Sequence, residues 1–501
     1  MAATTVIIIG QLETCIRLER VLDLLDAQRP ISLGWVLCNP QPMSNKGLPI
    51  LGTIDELEAV LARRLPSQAL LSLPAVMHEE IQSIRTRLRR GGVIDRFLPT
   101  LEDQLAGVGP RSLFQVNVEE LLDRTHRVVD RDRLQDLVHN RRVLITGAGG
   151  SIGSELARIT ARFEPGRLVL VERSENALFE IDRQIARINP ALSRRAVLHD
   201  VVEHNATRAL LCEEQPHLVL HAAAHKHVPM MENHPAAAIS NNVFGTRSIA
   251  DAAHAAGVER FVMISSDKAV NPTSIMGATK RLAEIYIQHL HAQSQTAFSM
   301  VRFGNVLGSS GSVIDVWSRQ VADGGPLTVT HPAMTRYFMT IPEAATLVMH
   351  AAAMTRVGRE RGCADVFVLD MGEPINVLEL STRFARLSGL EPVLDHSPKT
   401  GKQKSHAAGR IGITLTGPRP GEKLHEELAR DVEALVPTEH PDIQVWRLPQ
   451  PRPADVHAML RKLDRDHLDG SSDGGSSDVP ASDLAELIRS LVPEMQEAVA
   501  T

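Results

Sequence analysis

Residues 142–156, RVLITGAGGSIGSEL, constrain the fold of this chain more than any other stretch. A short apolar run ends in a cluster of glycines, and a helical pattern begins immediately afterwards. Glycines at three-residue spacing let the backbone approach a diphosphate, while the helix N-terminus supplies unpaired N–H groups and a favourable dipole. With a strand before it and a helix after it, the pattern predicts a dinucleotide-binding turn. The predicted loop residues are Gly147, Gly150, Ser151, Ile152 and Gly153.

The length, net charge and cysteine content of the chain limit the classes of protein to which it can belong. A chain of 501 residues is too long for one core, so two or three domains are expected. The net charge of −6 argues against broad nucleic-acid binding, which needs a basic face. The four cysteines lack C-x-x-C spacing, which is typical of free thiols in a reducing compartment. No window approaches the roughly 18 apolar residues of a membrane span, so we expect a cytoplasmic protein without an integral membrane segment.

The chain order predicts a domain organisation of four parts. Residues 1–105 alternate strand and helix patterns, but the first turn keeps only Gly10, which indicates a degenerate Rossmann-like domain. After residue 140, the alternation of strand and helix patterns predicts an α/β catalytic domain. We expect it to contain a doubly wound parallel Rossmann sheet and a smaller C-terminal substrate domain. The other three parts are a connector over 106–140, a catalytic domain over 141–430 and a C-terminal extension over 431–501. The substrate part of the catalytic domain begins at about 302. The extension contains a flexible acidic linker at 470–483 and a short amphipathic helix.

Acidic and small residues at later strand ends complete the predicted cofactor site. Glu172 lies about 20 residues beyond the glycines, where a carboxylate accepts the ribose hydroxyls. A carboxylate repels a 2′-phosphate, so NAD is favoured over NADP, although the adjacent Arg173 could accept that phosphate. The other predicted cofactor contacts follow the next two strands: Asp200 and Val201, then Ala222, Ala223 and Ala224.

Four histidines near the fourth strand raise the question of a metal site. His221, His225, His227 and His234 lie close together in sequence, but no thiolate is near and the spacing is not that of a known zinc site. The sequence therefore predicts no metal. Lys226 and the histidines are interpreted as a polar rim over the active site.

Several motifs together resemble the extended short-chain dehydrogenase/reductase superfamily, and more narrowly its capsular-polysaccharide group of nucleotide-sugar 4,6-dehydratases. The resemblance covers about 140–430, and residues 1–105 resemble the domain that precedes the catalytic domain in long members. Those long members usually begin with transmembrane helices, which are not expected here. The motifs are TGAGGSIGSEL (146–156), HAAAHKHVPMME (221–232), SSDKAVNPTSIMGATKR (265–281), VRFGNVLGSSGSVI (301–314), LTVTHPAMTRYFMTIPEA (327–344) and RPGEKLHEEL (419–428).

The resemblance implies a reaction and roles for three residues. UDP-N-acetylglucosamine, or a related UDP-N-acetylhexosamine, would become the UDP-4-keto-6-deoxy sugar by oxidation at C4, loss of water across C5 and C6, and return of the hydride to C6. NAD would stay bound throughout. By the resemblance, Asp267 is the acid for the departing hydroxyl, Lys268 is the base at C5, and Lys280 holds the nicotinamide ribose.

Met276 occupies the position where most of the superfamily has a catalytic tyrosine. A thioether cannot act as an acid or a base. Methionine is the residue expected in the long 4,6-dehydratase group, which the resemblance links to retained configuration at C5. The acceptor of the C4 hydroxyl proton then stays open between Ser266 and Asp267.

The same motifs imply a set of residues for the substrate, whose diphosphate needs cations and amides. Two other functions stay open: an epimerase or C5-inverting dehydratase on the same fold, and a non-catalytic NAD(P)-binding sensor disabled at Met276. The expected partners are a UDP-sugar and further copies of the chain in a homo-oligomer. The predicted substrate-binding residues are Asn305 and Arg419 first, with Lys226, Asn242, Arg302, Ser312, Arg336 and Glu422.

Overall fold

A computed structural model of the chain describes most of its length. Of the predicted connector, 106–120 and 123–129 lie outside the described residues, as do 470–479 of the predicted linker. The chain divides into one compact unit of residues 1–117, 317–327 and 381–414, and another of 118–316, 328–380 and 415–501. The described residues are 5–23, 30–39, 50–64, 66–74, 77–98, 100, 102, 121–122, 130–357, 363–388, 390–395, 410–429, 435–446, 451–468, 480–492 and 494–495.

Strands and helices alternate along most of the described chain. The strands are β1 Thr5–Gly10, β2 Ile31–Leu37, β3 Ile50–Thr53, β4 Gln68–Ser72, β5 Ile94–Phe97, β6 Arg142–Thr146, β7 Arg167–Glu172, β8 Arg194–Leu198, β9 Leu218–His221, β10 Arg260–Ile264, β11 Ala297–Arg302, β12 Asn305–Leu307, β13 Leu327–Val329, β14 Thr335–Arg336, β15 Phe338–Thr340, β16 Asp365–Leu369, β17 Ile375–Asn376, β18 Glu391–Asp395, β19 Arg410–Leu415, β20 Leu435–Pro437 and β21 Ile443–Trp446. The helices are α1 Leu12–Asp23, α2 Leu57–Arg63, α3 His78–Arg90, α4 Arg131–Val138, α5 Ser151–Arg162, α6 Glu175–Ile188, α7 His204–Glu214, α8 Val228–Asn233, α9 Pro235–Ala238, α10 Gly245–Ala255, α11 Ile275–Gln293, α12 Val313–Ala322, α13 Ile341–Met354, α14 Val377–Leu387, α15 Pro453–Leu468 and α16 Ala481–Leu491. Ile54–Glu56 and Asp267–Ala269 form 3₁₀ turns, and Ile239–Phe244 forms a π-helical segment.

The first unit contains a five-stranded sheet in the order β3-β2-β1-β4-β5, and all its pairs are parallel. The central strand β1 is almost wholly buried, as its continuous apolar sequence predicts. Its last residue is Gly10, where a Cβ atom would lie 2.5 Å from the carbonyl oxygen of Ser72. The Rossmann-like fold predicted for this part of the chain is confirmed, with a single glycine in its first turn.

The second unit contains a nine-stranded sheet in the order β20-β21-β16-β11-β10-β9-β6-β7-β8. The strands from β8 to β16 are parallel to their neighbours, whereas β21 is antiparallel to β16 and to β20. The strand order reverses between β6 and β9, which is where ligands bind in open sheets of this kind. The doubly wound α/β fold predicted from the sequence is confirmed.

The central strands place alternate residues in two apolar cores, one on each face of this sheet. Leu144 of β6 belongs to the core that includes Ile275 and Leu282 of α11. Ile145, the next residue, belongs to the core that includes Leu156 of α5. Burial on both faces explains why these strands are continuous apolar runs, and their parallel pairing places their carboxyl ends at one edge of the sheet.

The C-terminal extension ends in helix α16, which starts within the predicted linker, at Ala481. Its apolar side chains Leu484 and Ile488 are buried in the core that contains α11. The Arg281 guanidinium of α11 lies 2.9 Å from the Glu494 carboxylate just beyond α16. Within the described part of the chain, no helix has the length and the uninterrupted apolar character needed to cross a membrane.

Candidate active site

The predicted glycine loop joins β6 to α5 at the switch point of the sheet. Gly147 has a φ of +63°, and a Cβ atom there would lie 2.7 Å from the backbone nitrogen of Ala223. A Cβ atom at Gly153 would lie 2.0 Å from the carbonyl oxygen of Gly147. At Gly150 a Cβ atom would meet only that same oxygen, at 3.2 Å, so the remaining space beside Gly150 is open. Two glycines are therefore required by the loop itself, and the third leaves room for a ligand.

The N-terminus of α5 is a suitable diphosphate site. Gly150 caps the helix in an extended conformation and offers no side chain to the first amides. Residues 150–153 line a cleft of about 690 Å³. Unpaired amides at a helix N-terminus bind anions well. This cradle, which a larger side chain at Gly150 would fill, fits the diphosphate of a dinucleotide.

Glu172 ends β7 and braces the glycine loop. Its Oε2 accepts a hydrogen bond from the Gly149 amide at 3.1 Å, and its Oε1 accepts from the amides of Arg173 and Ser174 at 3.0 and 3.1 Å. The Arg173 guanidinium lies 3.8 Å from the carboxylate of Asp200. Val201, the residue after Asp200, is buried in the apolar core, away from the cleft.

The end of β9 carries Ala222, Ala223 and Ala224, of which the first and third line the cleft. Before them, His221 is buried between the hydroxyls of Thr146 and Thr246, at 2.7 and 3.0 Å. Burial lowers the pKa of His221 to about 3. His221 is therefore neutral, and its two hydrogen bonds link β9 to β6 and to helix α10.

The other predicted polar residues of this region have separate partners. His225 contacts Arg173 at 3.2 Å, and a Cβ atom built on Gly311 would lie 2.9 Å from the Cε1 of His227. Burial lowers the pKa of Lys226, which lines the cleft. Among the described residues, no group of three or more His, Cys, Asp and Glu side chains is arranged to hold a metal ion.

Asn242 is fully buried in the π-helical segment and lies outside the cleft lining. Its Oδ1 accepts from the His225 amide at 2.8 Å, and its Nδ2 donates to the His225 carbonyl at 3.1 Å and to the Thr279 hydroxyl at 3.1 Å. These bonds fix the loop after β9 against helix α11. The structure does not bring this predicted substrate residue to the cleft.

The predicted Asp-Lys pair lies directly after β10, in a 3₁₀ turn capped by the Ser266 hydroxyl. The Asp267 Oδ1 accepts from the Lys268 ammonium at 3.0 Å and from the Ser266 hydroxyl at 2.9 Å. The same ammonium donates to the Asn305 Oδ1 at 3.0 Å. Lys268, Ser266 and Asn305 line the cleft, whereas Asp267 is wholly buried behind them. The turn therefore presents an oriented ammonium to whatever occupies the cleft.

Helix α11 supplies the next two predicted residues. Met276 is 3% exposed and lines the cleft. Lys280, one turn later, donates from its Nζ to the carbonyl of Ile264 at 2.6 Å. Burial lowers the pKa of Lys280 to about 8. The amine is held at the carboxyl end of β10, next to the cleft.

The predicted substrate residues divide into those that line the cleft and two, Asn242 and Arg302, that do not. Arg336 lines it, but its guanidinium is held by the carbonyls of Thr335, Lys423 and Leu424, at 2.7, 2.8 and 3.1 Å. Arg419 is bound by Glu422 at 2.6 Å. The predicted residues that line the cleft are Gly150, Ser151, Ile152, Gly153, Ala222, Ala224, Lys226, Ser266, Lys268, Met276, Lys280, Asn305, Ser312, Arg336, Arg419 and Glu422.

Arg302 does not reach the cleft. Its side chain is fully buried, with its Nε 2.7 Å from the Glu284 carboxylate of α11. The guanidinium also stacks over the Trp446 ring at 4.7 Å. The Ser265 hydroxyl donates to Glu284 at 2.7 Å, so the pair supports the end of β10. Arg302 supports the site from behind, contrary to the prediction that it binds substrate.

One cleft residue escaped the sequence reasoning. Glu426 is 9% exposed and lines the cleft, with its carboxylate 3.8 Å from the Nε of Arg336. Burial raises the pKa of Glu426. It lies within the motif 419–428, but it follows no periodic pattern that separates it from its neighbour Glu427. The only sequence feature that could have indicated Glu426 is its position four residues after Glu422.

Comparisons with known proteins agree with this fold. The chain is 39% identical over 406 residues to a probable polysaccharide biosynthesis protein, EpsC, of Bacillus subtilis, a match that covers 80% of this chain. The chain spans only 64% of the length of that protein. It is 28% identical over 300 residues to UDP-N-acetylglucosamine 4,6-dehydratase (inverting) of Campylobacter jejuni, which covers 58% of this chain and 78% of that one.

A solved structure and a family model complete the comparison. The structure of Pen from Bacillus thuringiensis matches with a TM-score of 0.53 and 30% identity, over 63% of this chain and 88% of that one. The model of the polysaccharide biosynthesis protein family matches residues 143–447, which include every cleft residue described above. The chain belongs to the polysaccharide biosynthesis protein family.

Proposed function

We propose that the chain is a nucleotide-sugar 4,6-dehydratase that acts on UDP-N-acetylglucosamine or a related UDP-N-acetylhexosamine. The observation that carries the proposal is the ammonium of Lys268, held 3.0 Å from both Asp267 and Asn305 in the cleft that also contains the glycine loop. An oriented amine next to a dinucleotide site is what removal of the sugar C5 proton requires. The similarity to the Campylobacter jejuni dehydratase supports the same reaction class.

The residues at the glycine loop fit NAD as the bound cofactor. The open space at Gly150 and the uncapped start of α5 would hold its diphosphate, and Glu172 lies where the ribose hydroxyls are expected. NAD, when bound, would accept the hydride from C4 of the sugar and return it at C6. Lys280, with its amine at the end of β10, would hold the nicotinamide ribose.

Side chains of the protein would supply the acid–base chemistry on the sugar. Lys268 in its neutral amine form would remove the C5 proton, because two oxygen acceptors orient its Nζ and the side chain lines the cleft. Ser266 lines the cleft and donates to Asp267 at 2.9 Å, so its hydroxyl can accept the C4 proton while its own proton passes to that carboxylate. Met276 cannot exchange protons and would only pack against the substrate. The departing C6 hydroxyl needs a proton from a carboxylic acid, the role that the family resemblance gives to Asp267, which would by then hold the proton relayed by Ser266.

Arg419 and Lys226 would bind the UDP half of the substrate. Both line the cleft, and the Arg419 side chain is 57% exposed. Arg336 would act differently, because three backbone carbonyls occupy its guanidinium. It would hold the segment 423–426 against the cleft rather than bind phosphate.

The test separates a dehydratase from an epimerase and from a non-catalytic sensor. The purified chain is incubated with NAD and UDP-N-acetylglucosamine, and the nucleotide sugars are separated and weighed by mass spectrometry. A dehydratase gives a product lighter by one water. An epimerase gives a product of unchanged mass and altered retention, and a sensor gives none; either result contradicts the proposal.

A further inference from the structure

The C-terminal helix α16 packs on α11, the helix that carries Met276 and Lys280 at the cleft. Leu484 and Ile488 of α16 are buried in the same apolar core as Ile275 of α11. Apolar contact of this kind is non-directional and does not by itself fix the register of one helix on another. Two series of polar contacts also lead from the C-terminal extension to residues that line the cleft.

The first series begins at Arg489 of α16. Its Nη2 lies 3.4 Å from the Oε2 of Glu232. The other oxygen of Glu232 accepts a hydrogen bond at 2.6 Å from the amide of Ile275, the first residue of α11. Met276 follows directly and lines the cleft. Arg489 therefore orients the carboxylate that holds the start of α11.

The second series begins at Glu494, just beyond α16. Its Oε1 lies 2.9 Å from the Nε of Arg281, which is the residue after Lys280. The Nη1 of Arg281 lies 3.3 Å from the Oε2 of Glu284. Glu284 accepts from the Ser265 hydroxyl at 2.7 Å, and Ser265 lines the cleft directly after β10. The tail is thus linked to the end of β10 through α11.

The charges of the second series are withdrawn from water. The side chains of Glu494 and Arg281 are 6% and 9% exposed, and that of Glu284 is fully buried. The Oε2 of Glu494 has no hydrogen-bond partner among the described residues, so the contact with Arg281 sets the position of this carboxylate. Because a buried ion pair contributes little net stability, we attribute to this one a role in fixing α16 on α11.

We propose that Arg489 and Glu494 are positioning residues of the active site, which hold α11 so that Met276 and Lys280 stay aligned at the cleft. The effect on turnover rests on the proposed dehydratase function, whereas the effect on NAD binding does not depend on the sugar reaction. Both residues lie beyond residue 447, where the match to the family model ends.

The first measurement is NAD affinity, obtained by calorimetric titration of the full chain at a temperature where circular dichroism shows every variant folded. We expect E494Q to weaken NAD binding about 10-fold, because the amine of Lys280 loses its alignment with the nicotinamide ribose. R489M should weaken it about 3-fold, since the Arg489 side chain is 48% exposed. R489K keeps the cation and should restore the native value.

The matched control is E486Q, which removes an exposed charge from the same helix. It should keep the native NAD affinity and the native kcat. Native NAD affinity in folded E494Q and R489M would overturn the proposal, as would equal losses in E486Q. Failure of R489K to restore the affinity lost in R489M would overturn the role of the Arg489 charge.

A second measurement separates misalignment from loss of folded protein. Each variant is given UDP-N-acetylglucosamine and the same sugar with deuterium at C4, and the two values of kcat are compared. A smaller folded fraction lowers both values equally. A misaligned cofactor slows hydride transfer, so the ratio of the two values should rise in E494Q and stay native in E486Q. A lowered kcat with an unchanged ratio in E494Q would contradict the positioning role.

The two levels of the account fail separately. A native chain that binds NAD and converts no UDP-sugar would contradict the dehydratase function. The NAD titrations of E494Q, R489M, R489K and E486Q would still decide whether the C-terminal extension positions α11.

Discussion

The Nζ of Lys268 lies 3.0 Å from the Oδ1 of Asp267 and equally close to the Oδ1 of Asn305. The two acceptors fix the amine in one direction at the end of β10. We therefore predict that K268M lowers kcat about 10²- to 10⁴-fold, the usual contribution of a general base. Because Lys268 takes no part in the glycine loop, the affinity for NAD, measured by calorimetric titration, should not change.

The matched control is K462M, which removes an exposed lysine of α15. It should keep native turnover and native NAD affinity. If K268M retained native kcat, the assignment of Lys268 as the base would be wrong.

The glycines of the loop should separate folding from binding. A Cβ atom at Gly153 would lie 2.0 Å from the Gly147 carbonyl, so G153A should cost about 1–3 kcal/mol or more of unfolding free energy, as overpacking does. At Gly150 the nearest atom is 3.2 Å away, so G150A should keep the native Tm while its new methyl group weakens NAD binding. Thermal unfolding and NAD titration of both variants check this. Equal Tm values for the two variants would contradict the steric account.

The pair of Arg302 and Glu284 is predicted to be structural. R302M would leave the buried Glu284 carboxylate without its main counter-charge, which costs about 3–5 kcal/mol. Urea denaturation should show this loss, whereas R461M, at an exposed position of α15, should not. For the folded fraction of R302M, KM for the nucleotide sugar should stay native. A raised KM with native stability would instead support the sequence-based prediction that Arg302 binds substrate.

Lys280 should make stability depend on pH. Burial lowers its pKa to about 8 in the folded chain, while the unfolded chain keeps that proton up to about pH 10.4. Between these values the unfolded state binds more protons, so the free energy of unfolding of the native chain should rise relative to K280M by about 1.4 kcal/mol per pH unit. Below pH 8 the difference between the two should be constant. Urea denaturation at pH 7, 8, 9 and 10 measures it; a constant difference up to pH 10 would show that Lys280 is not buried as described.

Sequence reasoning reached the features that local patterns determine. The glycine loop is such a feature, since a strand, a tight turn and a helix start leave few alternatives. The position of Asp267 and Lys268 is another, because a buried strand ends at Ile264 and its carboxyl end must lie at the ligand edge. Both predictions needed only neighbours in sequence.

Local sequence patterns do not predict the direction in which a single polar side chain points. Arg302 ends β11, a strand buried on both faces, so the residue type does not indicate which face it joins. Its partner Glu284 lies on α11, and nothing in the sequence pairs them. Glu426 belongs to an irregular segment without a hydrophobic period, and only the fold separates its environment from that of Glu427. The domain boundaries, the cytoplasmic location and the homo-oligomer stay predictions.

The central claim is that this chain removes water from a UDP-N-acetylhexosamine while hydrogen is exchanged at C5. The most direct measurement is the reaction of the purified chain with UDP-N-acetylglucosamine and NAD in D₂O, followed by NMR and mass analysis of the product. The account predicts a 4-keto-6-deoxy sugar that carries one solvent deuterium at C5, with the configuration at C5 retained. Recovery of the starting sugar, or of a C4 epimer with all its oxygen atoms, would contradict it.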